Sequence, residues 1–156
     1  MANVGSEQAL ISAGTPEKFN SMTIMYGALG MIWSKKAYFA FIKPERYTFE
    51  FIKNSDYFTV SYFPKEFGRI HKVFGYKSGR DMDKIRETGI TPEFIDNAIT
   101  FSEANEFFVC KKIYFKQMDK NFEPEDVIAQ YNDPKNIIFG EAHYALIGEI
   151  EKHIVR

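Results

Sequence analysis

Phe19-Asn20-Ser21-Met22-Thr23-Ile24-Met25-Tyr26-Gly27 is the stretch on which the fold turns. It follows a turn, Ala13-Gly14-Thr15-Pro16-Glu17-Lys18, and runs extended toward two glycines, Gly27 and Gly30. Asn20, Ser21 and Thr23 put three short hydrogen-bonding side chains around Met22. A strand that opens on small polar residues can aim N–H groups and hydroxyls at a ligand while its apolar side stays in the core. A strand with a polar first turn and no ligand carries the same pattern.

Working outward, Ala9 to Ala13 reads as a short strand before the turn, and Leu29 to Trp33 continues the central strand past a glycine bend. Ser34-Lys35-Lys36 reads as a turn. Ala37 to Lys43 is a strongly apolar strand closed by Pro44. Glu45 to Asn54 reads as a helix, with Pro44 and Glu45 suited to its first turn. Tyr57 to Phe63 is β-branched and aromatic, hence a strand. Lys65 to Tyr76 carries Phe67, Ile70, His71 and Phe74 on one side of a helix, and residues 75–81 form a loop. Asp81 is placed to cap a short helix, Met82 to Thr88, ended by Gly89. Ala98 to Phe101 is a short strand and Glu106 to Met118 a long one. A polar segment follows, with a short helix at Pro124 to Tyr131, and His143 to Val155 closes as a strand. Six or seven strands, two short helices in the middle and no βαβ rhythm predict a mainly β chain, an antiparallel barrel with helices inserted between strands.

The 156 residues are expected to form a single domain, 1–156, with a substantial core. Aromatics reach 17%, with Phe 16 and Tyr 9, which favours strands and aromatic-lined surfaces. A formal net charge of −1 recruits neither nucleic acid nor an anionic membrane. One cysteine, Cys110, excludes an internal disulfide and a Cys-only metal site. No basic segment followed by an apolar core occurs within Met1 to Gly14, and no apolar run reaches the ~18 residues of a membrane span. No signal peptide is expected, and the protein is placed in the cytoplasm.

Phosphate-cradling glycine loops, HExxH, CxxC and GxSxG are all missing. His71, His143 and His153 lie far apart, so no metal site is expected. No catalytic constellation is visible either; if this is an enzyme, a bound cofactor carries its chemistry. Three segments could hold one. The first is Asn20 to Tyr26. The second is Pro44-Glu45-Arg46-Tyr47-Thr48, where a helix start offers N–H groups and Arg46 a bidentate partner to a phosphate. The third is Lys77-Ser78-Gly79-Arg80-Asp81-Met82-Asp83-Lys84, a turn that could form an anion nest. Each also reads as an ordinary solvated turn or helix start.

The ordered set is what resembles a family. Lys18-Phe19-Asn20-Ser21-Met22-Thr23-Ile24, then Lys43-Pro44-Glu45-Arg46-Tyr47-Thr48, then Ser78-Gly79-Arg80-Asp81-Met82-Asp83-Lys84, with weaker echoes at Glu103-Ala104, Val109 to Lys112 and Ile147-Gly148-Glu149-Ile150, resemble the flavin reductase-like proteins, closest to the flavoredoxin branch. The resemblance spans nearly the whole chain. It implies a split β-barrel that binds FMN near a homodimer interface. Carried over by motif, Asn20, Ser21, Met22 and Thr23 line the isoalloxazine, mainly through backbone. Tyr26 stands where similar proteins have an aromatic, often tryptophan, beside the ring. Arg46 and Thr48 meet the phosphate and ribityl side. Ser78, Gly79 and Lys84 complete the cradle or meet the ring's negative edge. No catalytic protein residue is implied, and the electron donor is NAD(P)H or a redox protein. Two alternatives stand beside this: a pure electron carrier without a nucleotide site, and a module for haem or another planar ligand with His71 or His143 as axial ligand. The strand Glu106 to Met118 is apolar on both parities, so both faces need cover, from residues 65–88 or from a second subunit.

Overall fold

The computed structural model describes Ala2 and residues 4–156. Met1 and Asn3, part of the segment read above for a signal peptide, lie outside the described residues. The strands are β1 (Ala9–Gly14), β2 (Phe19–Ile24), β3 (Gly27–Ile32), β4 (Lys35–Ile42), β5 (Tyr57–Tyr62), β6 (Pro92–Ile95), β7 (Ala98–Phe101), β8 (Glu106–Gln117) and β9 (Tyr144–Val155). The helices are α1 (Tyr47–Asn54), α2 (Ile70–Tyr76), α3 (Lys84–Thr88) and α4 (Glu125–Asn132), with 3-10 turns at Lys65–Phe67 and Lys120–Phe122.

Among the described residues, seven strands form one antiparallel sheet in the order β2-β1-β5-β8-β9-β4-β3. The two ends of that order, β2 and β3, are consecutive in the chain and joined by Met25-Tyr26. The sheet therefore curls to bring its two ends near each other without pairing them, which makes it an open, split barrel. Pairing fixes the two faces of β2. Met22 opposite Ile11 and Ile24 opposite Ala9 enter the core with Tyr38, Ile42, Val60, Phe108 and Leu146. Leu10, opposite Thr23, faces the other way and packs with Ile70 and Phe74 of α2. Ile52 of α1 is buried in the core.

Several boundaries differ from the sequence reading. The turn after β3 is Trp33-Ser34, both at positive φ (48° and 61°), and Lys35 and Lys36 already belong to β4. Helix α1 starts at Tyr47, with Arg46 as its extended N-cap. The predicted helix over 65–76 is a 3-10 turn and a separate α2, which takes in Gly75 and Tyr76. Asp83, not Asp81, caps α3, accepting from Arg86 N–H at 3.1 Å. Strand β6 is additional: it pairs with β7 across Asp96-Asn97, where Asp96 takes positive φ (52°).

That hairpin settles what covers β8. Residues Glu106 to Cys110 are buried on both faces. Phe108 and Cys110 point into the barrel. Phe107 and Val109 pack outside against Ala98 and Ala104, with Ile95 beside them. Over residues 106–110 the cover comes from the chain's own β6–β7 hairpin and Ala104, not from residues 65–88, so this half of the two-sided apolar pattern needs no second subunit. The Cys110 thiol is fully buried and its pKa is raised by that burial. Among the described residues no helix is long and apolar enough to cross a membrane, and no group of three or more metal-ligating side chains comes together.

Candidate functional site

The site forms where β2, the start of α1 and the α2–α3 connection meet. A polar cavity of about 160 Å³ is lined by Asn20, Met22, Thr23, Arg46, Thr48, Ser78, Gly79 and Lys84, together with Glu45, Tyr47 and residues 74–77 and 80. Eight of the ten residues singled out in the sequence thus share one cavity. Met22, Thr23, Arg46, Gly75 and Tyr76 also border a second, mostly apolar cavity of about 180 Å³, which adds Tyr26. The two together reach the low end of the roughly 300–1,000 Å³ usual for ligand sites.

The hydroxyls of β2 are hydrogen-bonded within the protein. Ser21 Oγ lies 2.7 Å from Ser12 Oγ on β1, both fully buried. Thr23 Oγ1 donates to the His71 carbonyl at 2.9 Å, tying α2 to β2. Asn20 Nδ2 donates to Thr48 Oγ1 at 2.8 Å, fixing the first turn of α1. Ser21 alone of the ten lines neither cavity; it borders a wider open groove of about 680 Å³ toward β6, where Glu17, Lys18, Asp81 and Asp83 mix both signs of charge.

Positive charge is what remains for a ligand. Lys84 is 5% exposed, and its ammonium donates to the Ser21 carbonyl at 2.7 Å and sits 5.0 Å from the Phe74 ring centroid. Among the described residues no carboxylate pairs with it, and burial, helped by the nearby Arg46 charge, pulls its pKa down to about 8. Burying an ammonium this way is costly unless an anion answers it. Arg46 is exposed, and among the described residues its guanidinium reaches only the Gly75 carbonyl at 3.3 Å. Arg80, by contrast, is committed: it pairs with Glu50 and lies 4.5 Å over the Tyr47 ring. Ser78 Oγ accepts from Arg80 N–H at 3.1 Å and shapes the turn. Gly79 is required by close approach, since a Cβ there would sit 2.2 Å from Asn20 Oδ1.

The apolar cavity has a wall that the sequence reading did not assign. Tyr26, 53% exposed, meets His143 edge to face at 6.0 Å. His143 Nδ1 hydrogen-bonds Tyr131 Oη at 3.2 Å. Burial, then the Lys43 charge, lowers the His143 pKa to about 4, so the ring is neutral. Burial raises the Tyr131 phenol to about 12. Lys43, buried at the end of β4, lies 5.0 Å from the Tyr131 ring, and its pKa is lowered by burial. Ile137 and Ile138 complete this wall. His71 lines the same cavity; its Nδ1 is buried with no hydrogen-bond partner among the described residues, and burial lowers its pKa. The only signal for Lys43 was a lysine ending an apolar strand inside a quoted motif. Tyr131 and the isoleucines had none.

No family profile and no curated protein matches the sequence. Solved structures do. A flavoredoxin from Methanosarcina acetivorans superposes with a TM-score of 0.73 at 16% identity over 96% of this chain and 68% of that one. The flavoredoxin of Desulfovibrio vulgaris (Miyazaki F) gives 0.73 at 18% identity over 97% and 70%. An FMN-binding protein from Thermus thermophilus, solved with bound 1-cyclohex-2-enone, gives 0.72 at 13% over 95% and 69%. At such identities the likeness establishes the fold: the chain is an antiparallel split β-barrel of the type seen in flavoredoxins and flavin reductase-like proteins.

Proposed function

We propose that this chain is an FMN-binding flavoprotein of the flavin reductase-like kind, passing electrons from a reduced nicotinamide or a protein donor through the bound flavin. The observation that carries the reading is Lys84, a buried cation with no paired carboxylate among the described residues, lining a polar cavity that shares a wall with an apolar one. An amphiphilic ligand with an anionic end and a flat apolar end fits that pair. The names of the similar structures, two flavoredoxins and an FMN-binding protein, support the choice of FMN.

In this reading Arg46, Lys84 and the turn at Ser78-Gly79 hold the phosphate, the second as a point charge and the first as a fork. Thr48, oriented by Asn20, stands beside the ribityl chain. Met22, Thr23 and Tyr26 border the ring, and Ser21 contributes through its carbonyl, which fixes Lys84. Bound flavin supplies hydride and single-electron chemistry, so no acid or base of this chain need act at the reacting centre. The protein's part is to place the ring and to keep positive charge near it.

The rest of the proposal is that residues 1–156 act as one domain, in the cytoplasm, as a homodimer with the flavin near the interface. The dimer is supported by β3, a sheet edge that exposes Leu29 and Met31 (42% and 64%) and leads into Trp33 (66%). Such an apolar edge calls for cover. Light scattering coupled to size exclusion tests it; an FMN-bound monomer of about 18.1 kDa overturns the shared site.

Isothermal titration with FMN and FAD tests the central reading. FMN should bind far more tightly, because the structure offers one anion cradle; equal affinities, or none, sink it. Stopped-flow mixing with NADH and NADPH separates a nucleotide-dependent reductase from a carrier reduced by another protein. The absorption spectrum separates flavin from haem, whose axial ligand would be His71 or His143.

A further inference from the structure

Residues 133–143 join no helix or strand, yet they supply a wall of the apolar cavity through Ile137, Ile138 and His143. The strap is fastened to the barrel at two places. At the end of β8, Gln117 Nε2 donates to Glu141 Oε2 and to the Ala142 carbonyl, both at 3.4 Å, and Met118 N–H donates to the His143 carbonyl at 2.8 Å. The other place, nearer Ile138, is one short segment at the end of β4. Lys43 Nζ donates to the Ile138 carbonyl at 3.0 Å and also to the Glu141 carbonyl. Glu45 Oε1 accepts from Glu141 N–H at 2.6 Å, and Glu45 Oε2 lies 3.6 Å from Lys43 Nζ. Gly140 takes φ +109°, a conformation that side chains rarely adopt, and lies against Glu45 Oε1. A further tie runs from Gly140 N–H to the Tyr131 carbonyl at 2.9 Å. The clasp residues Lys43 and Glu45 flank Pro44 and immediately precede Arg46, the group facing the polar cavity. Four consecutive residues therefore touch both the strap and the anion cradle.

We propose that the strap is the specificity wall of the site. Ile137 and Ile138 limit the size of the second molecule that can lie against the bound ring, and Lys43 is the positioning residue that holds them there. This rests on the reading that the flavin ring lies in the apolar cavity. The chemistry of the lining names the class admitted. Tyr26, Met25 and the two isoleucines offer flat apolar contact, while Lys43 and Arg46 are cationic, and among the described residues no carboxylate lines the cavity. Flat uncharged or anionic ring compounds are accepted, and cationic ones are refused.

The test uses the full chain and three variants: Ile138→Ala, Lys43→Met and, should the last fail to fold, Glu45→Ala at an exposed position. Hydrogen exchange on flavin-free protein reads the clasp directly. The Gly140 and Glu141 amides should exchange about tenfold or more faster in Lys43→Met or Glu45→Ala and stay unchanged in Ile138→Ala. In FMN-loaded protein, the change in flavin absorbance reads binding of benzoate, 2-naphthoate and phenyltrimethylammonium. Ile138→Ala should improve 2-naphthoate relative to benzoate by about tenfold. Loosening the clasp should move that ratio the same way, with FMN affinity within about threefold of the parent, and the cation should bind none of the proteins. An unchanged ratio in Ile138→Ala, or unchanged exchange in both clasp variants, overturns the proposal. A chain that takes up no FMN defeats the flavin reading and the wall's selectivity with it, while the exchange data still decide the clasp.

Discussion

The polar and apolar cavities share Met22, Thr23, Arg46, Gly75 and Tyr76, but the chain builds them in different ways. The polar one is assembled from β2, the α1 start and the α2–α3 connection, each a short run whose local geometry dictates its part. Arg46 is an N-cap, Asp83 caps α3, and Gly79 lets a turn touch Asn20. The apolar one depends on residues 137–143 lying against Tyr26 and Lys43, which no local rule requires. The lesson is that an anion cradle is mostly backbone and caps, whereas a ring pocket is mostly tertiary contact.

That contrast can be broken most forcefully at Gly79. In Gly79→Ala the new methyl group collides with Asn20 and releases its bond to Thr48. Overpacking of this kind should cost about 1–3 kcal/mol in urea denaturation and lower FMN affinity upwards of about 100-fold. A variant of parental stability and affinity would show that the cradle is loose. Arg46→Ala comes next. Loss of a charge-assisted contact of about 1.5–3 kcal/mol weakens FMN ~10- to 150-fold and leaves riboflavin, which lacks the phosphate, almost unchanged. Parallel losses for both ligands would assign Arg46 to folding instead.

Lys84 sharpens the same comparison through pH. Its folded pKa of about 8 lies below the ordinary 10.5. FMN affinity should therefore fall several-fold from pH 7 to 9.5 as the ammonium is lost, while riboflavin affinity holds. Ligand-free stability should move the other way, rising between about 8 and 10.5, because there the unfolded chain binds the proton and the folded one does not. Lys84→Met should abolish both trends. The smallest effect belongs to the apolar end. Tyr26→Ala removes one ring contact worth about 0.5–1.5 kcal/mol and should weaken FMN and riboflavin alike, about two- to tenfold. A loss confined to FMN would put Tyr26 at the wrong end of the ligand.

The sequence was legible where chemistry is local. The apolar runs that became β4, β5 and β8 declared themselves by residue type, and the three polar segments by their turns. Strand β6 hid because Pro92-Glu93-Phe94-Ile95 is short, starts on proline and turns through Asp96-Asn97 without a glycine. The β3–β4 turn was misplaced for a similar reason: Trp33 and Ser34 hold positive φ without being glycine or asparagine. The hydroxyls of β2 could be counted in the sequence but not assigned, since Ser12 and His71 are partners supplied by pairing and helix placement. The wall of Lys43, His143 and the isoleucines, backed by Tyr131, joins parts of the chain far apart in sequence, and the family motifs touch it only at Lys43.

The position of β9 between β8 and β4 has a consequence for how the chain comes into being. The β3–β4 hairpin closes through a tight turn and can form as soon as it leaves the ribosome. Its other edge has no partner until β9 has been made, long after β1, β5 and β8 are in place. During that interval the newborn chain carries two half-sheets with bare, apolar edges, and long-range closure of this sort is slow. Any cell that makes this protein must shield that hairpin from its neighbours until β9 arrives, so demand for chaperones should track the residues between β4 and β9 more than the barrel itself.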